Sequence, residues 1–267
     1  MQTHNVLRET FDEDAERYNQ FRPHYPQPLF DKLITDTGIN ADSSLLEIGP
    51  GTGQATKPLA RLGADITAIE LGAALAKKAQ QELQQYRNAH IITGAFEGAD
   101  LPAATYDLIF SATAFHWIKD EDKFTKAAKL LKPEGYLAII HTEHIYDEKG
   151  DAFYTASRPI YDTYWPPKGD SSPPRLPTSH DIQAPYIDSH FFTPKSFTVF
   201  PIVTAYSAKD YAGLLSTYSP VIMLPIAKRQ QFLADIAALI DTQFAGKLEK
   251  HFAFTLTIAQ KNRTFRR

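Results

Sequence analysis

Between Leu45 and Gln54 the chain reads Leu-Leu-Glu-Ile-Gly-Pro-Gly-Thr-Gly-Gln: a short apolar run, one acid, then three glycines at alternate positions. Amphipathic spacing resumes at Ala55, Leu59 and Leu62. A buried strand that breaks into a glycine turn and leads into a helix has this pattern. Glycines lack the Cβ that would hold a ligand away from the backbone, so such a turn can be approached closely. Gly49, Gly51 and Gly53 follow G-x-G-x-G, whereas the dinucleotide fingerprint is G-x-G-x-x-G, which makes a nicotinamide dehydrogenase the weakest enzyme reading. Glu47, an acid inside the strand, argues against an anionic pyrophosphate and for a ligand with a cationic end.

Strands and helices alternate on from this point. The strands read as Ser44–Ile48, Asp65–Glu70, His90–Thr93, Tyr106–Ser111 and Tyr136–His141. Helical faces lie between them: Leu75, Ala79, Leu83 and Tyr86 in one, Phe124, Ala127, Ala128 and Leu131 in another, with Lys132 to Gly135 as a turn. Such alternation predicts an α/β fold, a parallel sheet with helices on both faces. Upstream, Phe11, Ala15 and Tyr18 have helical spacing up to a break at Arg22-Pro23-His24-Tyr25-Pro26. Pro28 opens a second helix with Leu29, Phe30, Leu33 and Ile34 on one side and Gly38 at its end.

The pattern changes after residue 145. Residues 146–194 hold eight prolines, from Pro159 to Pro194, among many aromatics. A linker is one reading of prolines at that density. Phe153, Tyr154, Tyr161, Tyr164, Trp165, Tyr186, Phe191 and Phe192 are too many rings for a linker, and point to some helix and to packing or a pocket wall. Lys195–Thr204 then reads as a strand, and Ser207 with Asp210 as a helix start whose apolar face is Tyr211, Leu214, Leu215 and Tyr218. Ile226 to Phe244 reads as a further helix ended by Gly246, and Phe252, Phe254, Leu256 and Ile258 as a strand by their period of two.

Composition removes several classes of function. Cysteine is absent, which excludes disulfides, thiolate metal sites and a cysteine nucleophile and suits a reducing compartment. With 28 Lys and Arg against 31 Asp and Glu, the net charge of −3 gives no basic footprint for nucleic acid. The polar start carries no signal peptide, and no apolar run approaches the roughly 18 residues that span a bilayer, so no membrane partner and a cytoplasmic location are expected.

In an open α/β sheet ligands bind beyond the carboxyl ends of the strands. Glu70 ends the second strand, 17 residues after Gly53. It is placed either to accept both hydroxyls of an adenosine ribose or to cap the next helix. Thr93-Gly94-Ala95-Phe96-Glu97, after the third strand, is where an adenine would be held. After the fourth, Ser111-Ala112-Thr113-Ala114-Phe115-His116-Trp117 joins small residues to an aromatic pair. His116 fits a general base or substrate ligand and equally a structural histidine. His141, Glu143 and His144 cluster after the fifth strand but offer no clear third histidine, so no metal is expected.

These residues resemble the class I S-adenosylmethionine-dependent methyltransferases, and in particular a small-molecule group that includes trans-aconitate-type and ubiquinone-biosynthesis-type enzymes. The resemblance runs from about Phe11 to His141. It is carried by Glu47 to Gly53, Glu70, Tyr106-Asp107-Leu108-Ile109, Leu130 to Tyr136, the N-terminal Phe11, Tyr18, Arg22-Pro23 and Tyr25-Pro26, and Phe115-His116-Trp117. It implies a Rossmann-like seven-stranded sheet of order 3-2-1-4-5-7-6 with strand 7 antiparallel and an inserted lobe. The divisions would be an N-terminal helical lid at 1–43, a cofactor-binding core at 44–145, a Pro/aromatic insert at 146–194 that contributes to a substrate pocket, and C-terminal strands and helices at 195–267 that complete the sheet.

The cofactor implied is S-adenosyl-L-methionine, with S-adenosyl-L-homocysteine as product. By resemblance it is bound by Glu47, Gly49, Pro50, Gly51, Gly53, Glu70, Leu71, Ala95, Phe96 and Thr113. Many relatives carry Asp where Ala95 stands, so adenine recognition would rest on backbone N–H groups and Phe96. The acceptor expected is a small molecule, with a carboxylic acid favoured because Arg22 can pair with an acid. Tyr18, Arg22, His116 and Trp117 are the substrate-binding candidates, and His116 the catalytic one. A non-catalytic cofactor-binding protein and a methyltransferase acting on a macromolecule are the competing readings. The oligomeric state is not legible.

Overall fold

The computed structural model describes residues 15–118, 120–145, 152–166 and 177–263. Phe11, with Pro167, Pro173 and Pro174 of the insert, lies outside them. The elements in chain order are α1 (Ala15–Phe21), α2 (Gln27–Thr37), β1 (Ser44–Ile48), α3 (Thr56–Leu62), β2 (Asp65–Glu70), α4 (Ala73–Glu82), β3 (Ala89–Thr93), β4 (Tyr106–Ala112), α5 (Asp120–Leu130), β5 (Leu131–His144), α6 (Ala152–Tyr164), β6 (Phe192–Ser207), α7 (Ala208–Ser216), α8 (Ser219–Ile222), α9 (Ile226–Gln243) and β7 (Lys247–Lys261). Short 3₁₀ turns occupy Phe96–Gly98 and Phe115–Trp117.

The seven strands form one mixed sheet of order β3-β2-β1-β4-β5-β7-β6, the order the resemblance implies. β1 pairs in parallel with β2 and β4, β2 with β3, and β4 with β5. β7 runs against β5. Lys261 Nζ, at its end, donates to Leu131 O at the start of β5, while Ile145 N, past the end of β5, donates to His251 O. Leu45, Leu46, Leu108, Ile109 and Phe110 are fully buried, as central strands covered on both faces must be.

Several boundaries differ from the sequence reading, β6 by running Phe192–Ser207 and β5 by running Leu131–His144. Leu131 is the first residue of β5 and pairs with Tyr106, and the register shifts before Leu108 meets Tyr136. Residues 132–135 are therefore an irregularity within the strand, where Glu134 takes φ 64°. Asp107 anchors this corner: one carboxylate oxygen accepts from Ser44 N at 2.9 Å and from Lys132 Nζ at 2.8 Å. Tyr218 also lies beyond the helix expected to contain it, because α7 stops at Ser216 and α8 follows.

By contact density the chain divides into two compact units, with β5, β6 and β7 sharing their residues between them. One unit comprises 24–142, 183–200 and 254–267; the other comprises 1–23, 143–182 and 201–253. In the first, Phe96, Phe115, Phe124 and Phe192 pack with the aliphatic residues of β1, β4 and β5. In the second, the insert aromatics Phe153, Tyr161, Tyr164 and Trp165 join a core with α7 and α9. The rings of Tyr161, Tyr164 and Trp165 lie 5.2, 5.2 and 5.1 Å from Phe232 on α9, and Phe153 lies 5.2 Å from Tyr211 on α7. Edge-on aromatic pairs of this kind contribute beyond their buried area.

The start of α7 is capped as its sequence predicts. Ser207 Oγ accepts from Asp210 N at 3.1 Å and donates to Asp210 Oδ2 at 2.7 Å. Ser207→Ala should lower stability by about 0.5–2 kcal/mol in urea unfolding at constant m-value. An unchanged midpoint would show that the cap contributes nothing.

Candidate active site

The glycines after β1 are required by backbone geometry. Gly49, Gly51 and Gly53 have φ of 70°, 58° and 87°, in the left-handed region that other residues enter only with strain. A Cβ on Gly49 would also lie 2.4 Å from Ala114 Cβ, and one on Gly53 would lie 2.9 Å from Leu83 Cδ1. These two glycines thus serve close packing of the chain on itself. Gly49 N donates to Ile69 O at the end of β2, and Gly53 N closes back onto Pro50 O, each at 2.9 Å.

Glu70 joins the turn to the next helix. Its Oε2 accepts from Gly51 N and its Oε1 from Gly72 N, the N-cap of α4, both at 2.9 Å. One carboxylate therefore orients two backbone amides on either side of the strand end, with Leu71 between Glu70 and the helix cap. Its four lone-pair directions allow it to accept further donors. The ribose and capping readings are thus compatible within one residue.

Glu47 is fully buried on β1. Its Oε2 accepts from Thr56 Oγ1, on α3, at 2.5 Å. Its Oε1 has no partner among the described residues, and neither does the buried Nε2 of Gln54. An unsatisfied buried polar atom costs roughly 1–3 kcal/mol, so a polar ligand that reached these two atoms, one on β1 and one in the turn after it, would relieve that cost. Burial pushes the Glu47 carboxyl up to about 8; the Thr56 hydrogen bond opposes this and the charge of Glu70 adds to it. The carboxyl is mostly protonated at neutral pH, and a cation placed beside it would draw that proton off.

The other strand ends of this unit are arranged as follows. Ser111 Oγ donates to Ile48 O at 2.7 Å and so satisfies the last carbonyl of β1. Thr113 has φ 59°, and its hydroxyl meets Tyr25 Oη at 3.3 Å and Thr142 Oγ1 at 3.1 Å. Phe115 is buried against Phe124, whereas His116 is exposed, with the rings of Trp117 and His141 at 4.9 and 5.5 Å. Burial, with the charge of Lys123, holds His141 below the usual histidine range. Ala95 is half-buried, and Phe96 is a core side chain with Lys126 Nζ 5.1 Å from its ring centroid.

Tyr18 and Arg22 belong to the other unit. Arg22 Nε donates to Thr217 Oγ1 and Nη2 to Thr217 O, both at 3.0 Å, and the guanidinium lies 4.2 Å from the ring of Tyr218 and 5.1 Å from that of Tyr18. The four substrate candidates therefore fall two in each unit. Among the described residues no group of three His, Cys, Asp or Glu is placed to hold a metal ion. His144 Nε2 instead shares a 2.9 Å hydrogen bond with Tyr218 Oη.

Two residues near the turn, Gln54 within it and Thr56 at the start of α3, were not among the candidates of sequence reasoning. Thr56 reads as an ordinary helix residue, and no local rule pairs it with Glu47 nine positions earlier. Gln54 follows the last motif glycine directly, and that adjacency was the available signal.

A family model described as a methyltransferase domain matches residues 46–139, all within the unit that carries the glycine turn. The chain is 24% identical over 243 residues to an uncharacterized methyltransferase of Schizosaccharomyces pombe, spanning 89% of each protein. It is 31% identical over 174 residues to an uncharacterized methyltransferase of a Geobacillus species, spanning 54% of this chain and 81% of that protein. Further methyltransferases of these two genera are covered over 50–62% of their length. Among solved structures, a proposed type II methyltransferase from Anaeromyxobacter dehalogenans superposes with a TM-score of 0.60 at 22% identity, covering 90% of this chain and 97% of that one; this likeness concerns the fold.

The raised carboxyl of Glu47 links stability to pH. Between the ordinary value of 4.5 and about 8 the folded chain holds a proton that the unfolded chain releases. The contribution is complete below 4.5 and is lost as pH rises through about 8, with a slope of up to roughly 1.4 kcal/mol per pH unit. Glu47→Gln removes it. Urea unfolding of both proteins at pH 6 and pH 8 should show the wild type losing stability relative to the variant, and parallel pH dependences would contradict the assignment.

Proposed function

We propose that this chain, which belongs to the S-adenosylmethionine-dependent methyltransferases, transfers the methyl group to a small organic acceptor, with a carboxylic acid as the favoured class. The observation that carries the reading is a pair of buried polar atoms with no partner among the described residues, Glu47 Oε1 on β1 and Gln54 Nε2 in the turn after it, with the Glu70 carboxylate bonded to Gly51 N–H of that turn. One end of an amino acid is cationic and the other anionic, and an open carboxyl with an open amide donor suits both. Glu70 adds an acceptor for the ribose hydroxyls.

When bound, S-adenosylmethionine supplies a methyl group already activated on a sulfonium sulfur, so transfer is an in-line displacement that leaves S-adenosylhomocysteine. The chain's residues then have positioning work rather than bond-breaking work. Glu47 gives up its proton and holds the cationic amino end, with Thr56 fixing the rotamer of its carboxyl. Gln54 Nε2 and the turn N–H groups meet the carboxylate. Gly49, Pro50, Gly51 and Gly53 shape the turn, while Leu71, Ala95, Thr113 and the backbone of Phe96, whose ring is in the core, would border the nucleoside. Ala95 offers no side-chain acceptor, so the adenine is met by backbone groups.

On the acceptor side, His116 is exposed at the end of β4 and takes the role of substrate ligand, or of base where the acceptor must lose a proton. A carboxylate acceptor needs no base. Trp117 is the other substrate contact proposed in that unit, and Tyr18 and Arg22 are those proposed in the second unit. Arg22 is the cation that favours an acid, its guanidinium already held flat by Thr217 and Tyr218. The net charge of −3 weighs against a nucleic-acid acceptor.

Calorimetry with S-adenosylhomocysteine tests the cofactor half. Glu70→Ala should weaken binding by about 10- to 150-fold, the equivalent of roughly 1.5–3 kcal/mol for a charge-assisted hydrogen bond, and Gly51→Arg should abolish it. Unaltered binding by Gly51→Arg would sink the reading. For the acceptor half, labelled cofactor incubated with a panel of small carboxylic acids should give labelled ester; label appearing only in protein or RNA from an extract would reassign the acceptor.

A further inference from the structure

The segment after β3 brings little side-chain chemistry to the proposed cofactor site. Ala95 has no polar group and the Phe96 ring is turned into the core, so at these two positions a purine meets backbone. Backbone reads a ligand only as well as it is held in place, because its donors and acceptors cannot swing to follow a misplaced partner. One end of the segment is fixed by Gly94 N–H, which donates to Glu70 O at 2.8 Å. The other end is the 3₁₀ turn Phe96–Gly98, closed by Ala99 N–H on Phe96 O at 3.3 Å.

Lys126, on α5, reaches that turn from a different element. Its Nζ donates to Glu97 O at 3.1 Å and to Ala99 O at 2.6 Å, and lies 5.1 Å from the centroid of the Phe96 ring. Two carbonyls and a ring of one short segment converge on one ammonium, and hydrogen bonds from a charged donor are roughly twice as strong as neutral ones. Satisfying these carbonyls does not require a lysine. Gly98 and Asp100, on either side of Ala99, are exposed, so water reaches this stretch, and ordering a long side chain there costs rotamer freedom. What the lysine adds over water is position. It ties the turn to α5, whose Phe124, Ala127 and Ala128 are buried in the same core as Phe96, and the segment and the helix lie within one compact unit.

We infer that Lys126 is the positioning residue for adenine recognition, holding the backbone of Ala95 and Phe96 where its polar groups meet the purine edge. The role deepens the methyltransferase reading and rests on it. Lys126 acts through Glu97 O and Ala99 O rather than on the ligand. Each peptide unit is planar, so a fixed carbonyl fixes the amide that follows it. With Gly94 N–H held at the other end, few torsions are left to the residues between. A backbone so held discriminates purines by their edges. Adenine presents an acceptor at N1 and a donor at its 6-amino group, whereas hypoxanthine presents the reverse at both positions, and a site built for one pattern leaves polar groups unpaired against the other.

Calorimetry on the whole chain with S-adenosylhomocysteine and its hypoxanthine counterpart, S-inosylhomocysteine, tests it. The wild type should bind the adenine compound at least about tenfold more tightly. Lys126→Met keeps an apolar stem against Phe96 and removes the donors, and Lys126→Gln is shorter and uncharged. Each variant, checked for folding by circular dichroism and thermal melting, should weaken S-adenosylhomocysteine by about tenfold and change the hypoxanthine compound by less than about threefold. A lysine with a structural role alone would not move that ratio. Folded variants that keep both the affinity and the ratio overturn the inference, as do variants that lose the two ligands in equal measure. A wild type that binds both ligands alike also overturns it, and that result needs no variant. In all three cases S-adenosylhomocysteine still binds the wild type, so the methyltransferase reading stands. Failure of the wild type to bind it at all overturns that reading and this inference together.

Discussion

The carboxylate of Glu70 takes one hydrogen bond from Gly51 N–H and one from Gly72 N–H, and the glycine turn proposed to hold the cofactor is fixed by that pair. It sits at the end of β2, whose last residues also receive Gly49 N–H. A single acidic residue thereby fixes the turn after β1 against the start of α4. The turn must be glycine for two separate reasons: its φ angles are left-handed, and Gly49 and Gly53 leave no room for a Cβ against Ala114 and Leu83. Ligand access and chain packing make the same demand on these positions.

Glu47 shows what the central strand tolerates. A fully buried carboxyl among leucines and isoleucines is costly as a charge, and it holds its proton up to about pH 8. Thr56 satisfies one oxygen from the helix that the turn leads into. The other oxygen and the amide of Gln54 are left open, and such departures from a fully satisfied interior concentrate where a ligand completes the hydrogen bonding. The two acids differ in kind. Glu70 accepts from two backbone amides, whereas Glu47 is fully buried and accepts from one hydroxyl.

The aromatic insert has a constructive role. Tyr161, Tyr164 and Trp165 pack around Phe232 in the second unit, Phe192 joins the core of the first, and one face of the insert's helix walls a cavity that Lys250 also lines. Arg22, which the sequence offered as a partner for an acid, is tied to Thr217 and stacked on Tyr218, so its charge is presented from a rigid setting. Tyr18 and Arg22 belong to this unit while His116 and Trp117 belong to the other, a division that no spacing along the chain encodes.

The elements of the sheet, the glycine turn and the two strand acids were legible in the sequence because each is a local signal. Alternation of apolar residues at periods of two and 3.6, glycine where φ is positive, and a serine three residues before an aspartate are all carried by near neighbours in the chain. Strand order came from the family resemblance and was matched by the structure. Tertiary structure alone decided what the side chains face: Thr56 toward Glu47, Ala114 against Gly49, Leu131 in a strand rather than a helix, and Lys250 inside an aromatic cavity. The reason is physical. Local pattern determines which face of an element is buried, but the partner on that face comes from a distant segment and is chosen by packing.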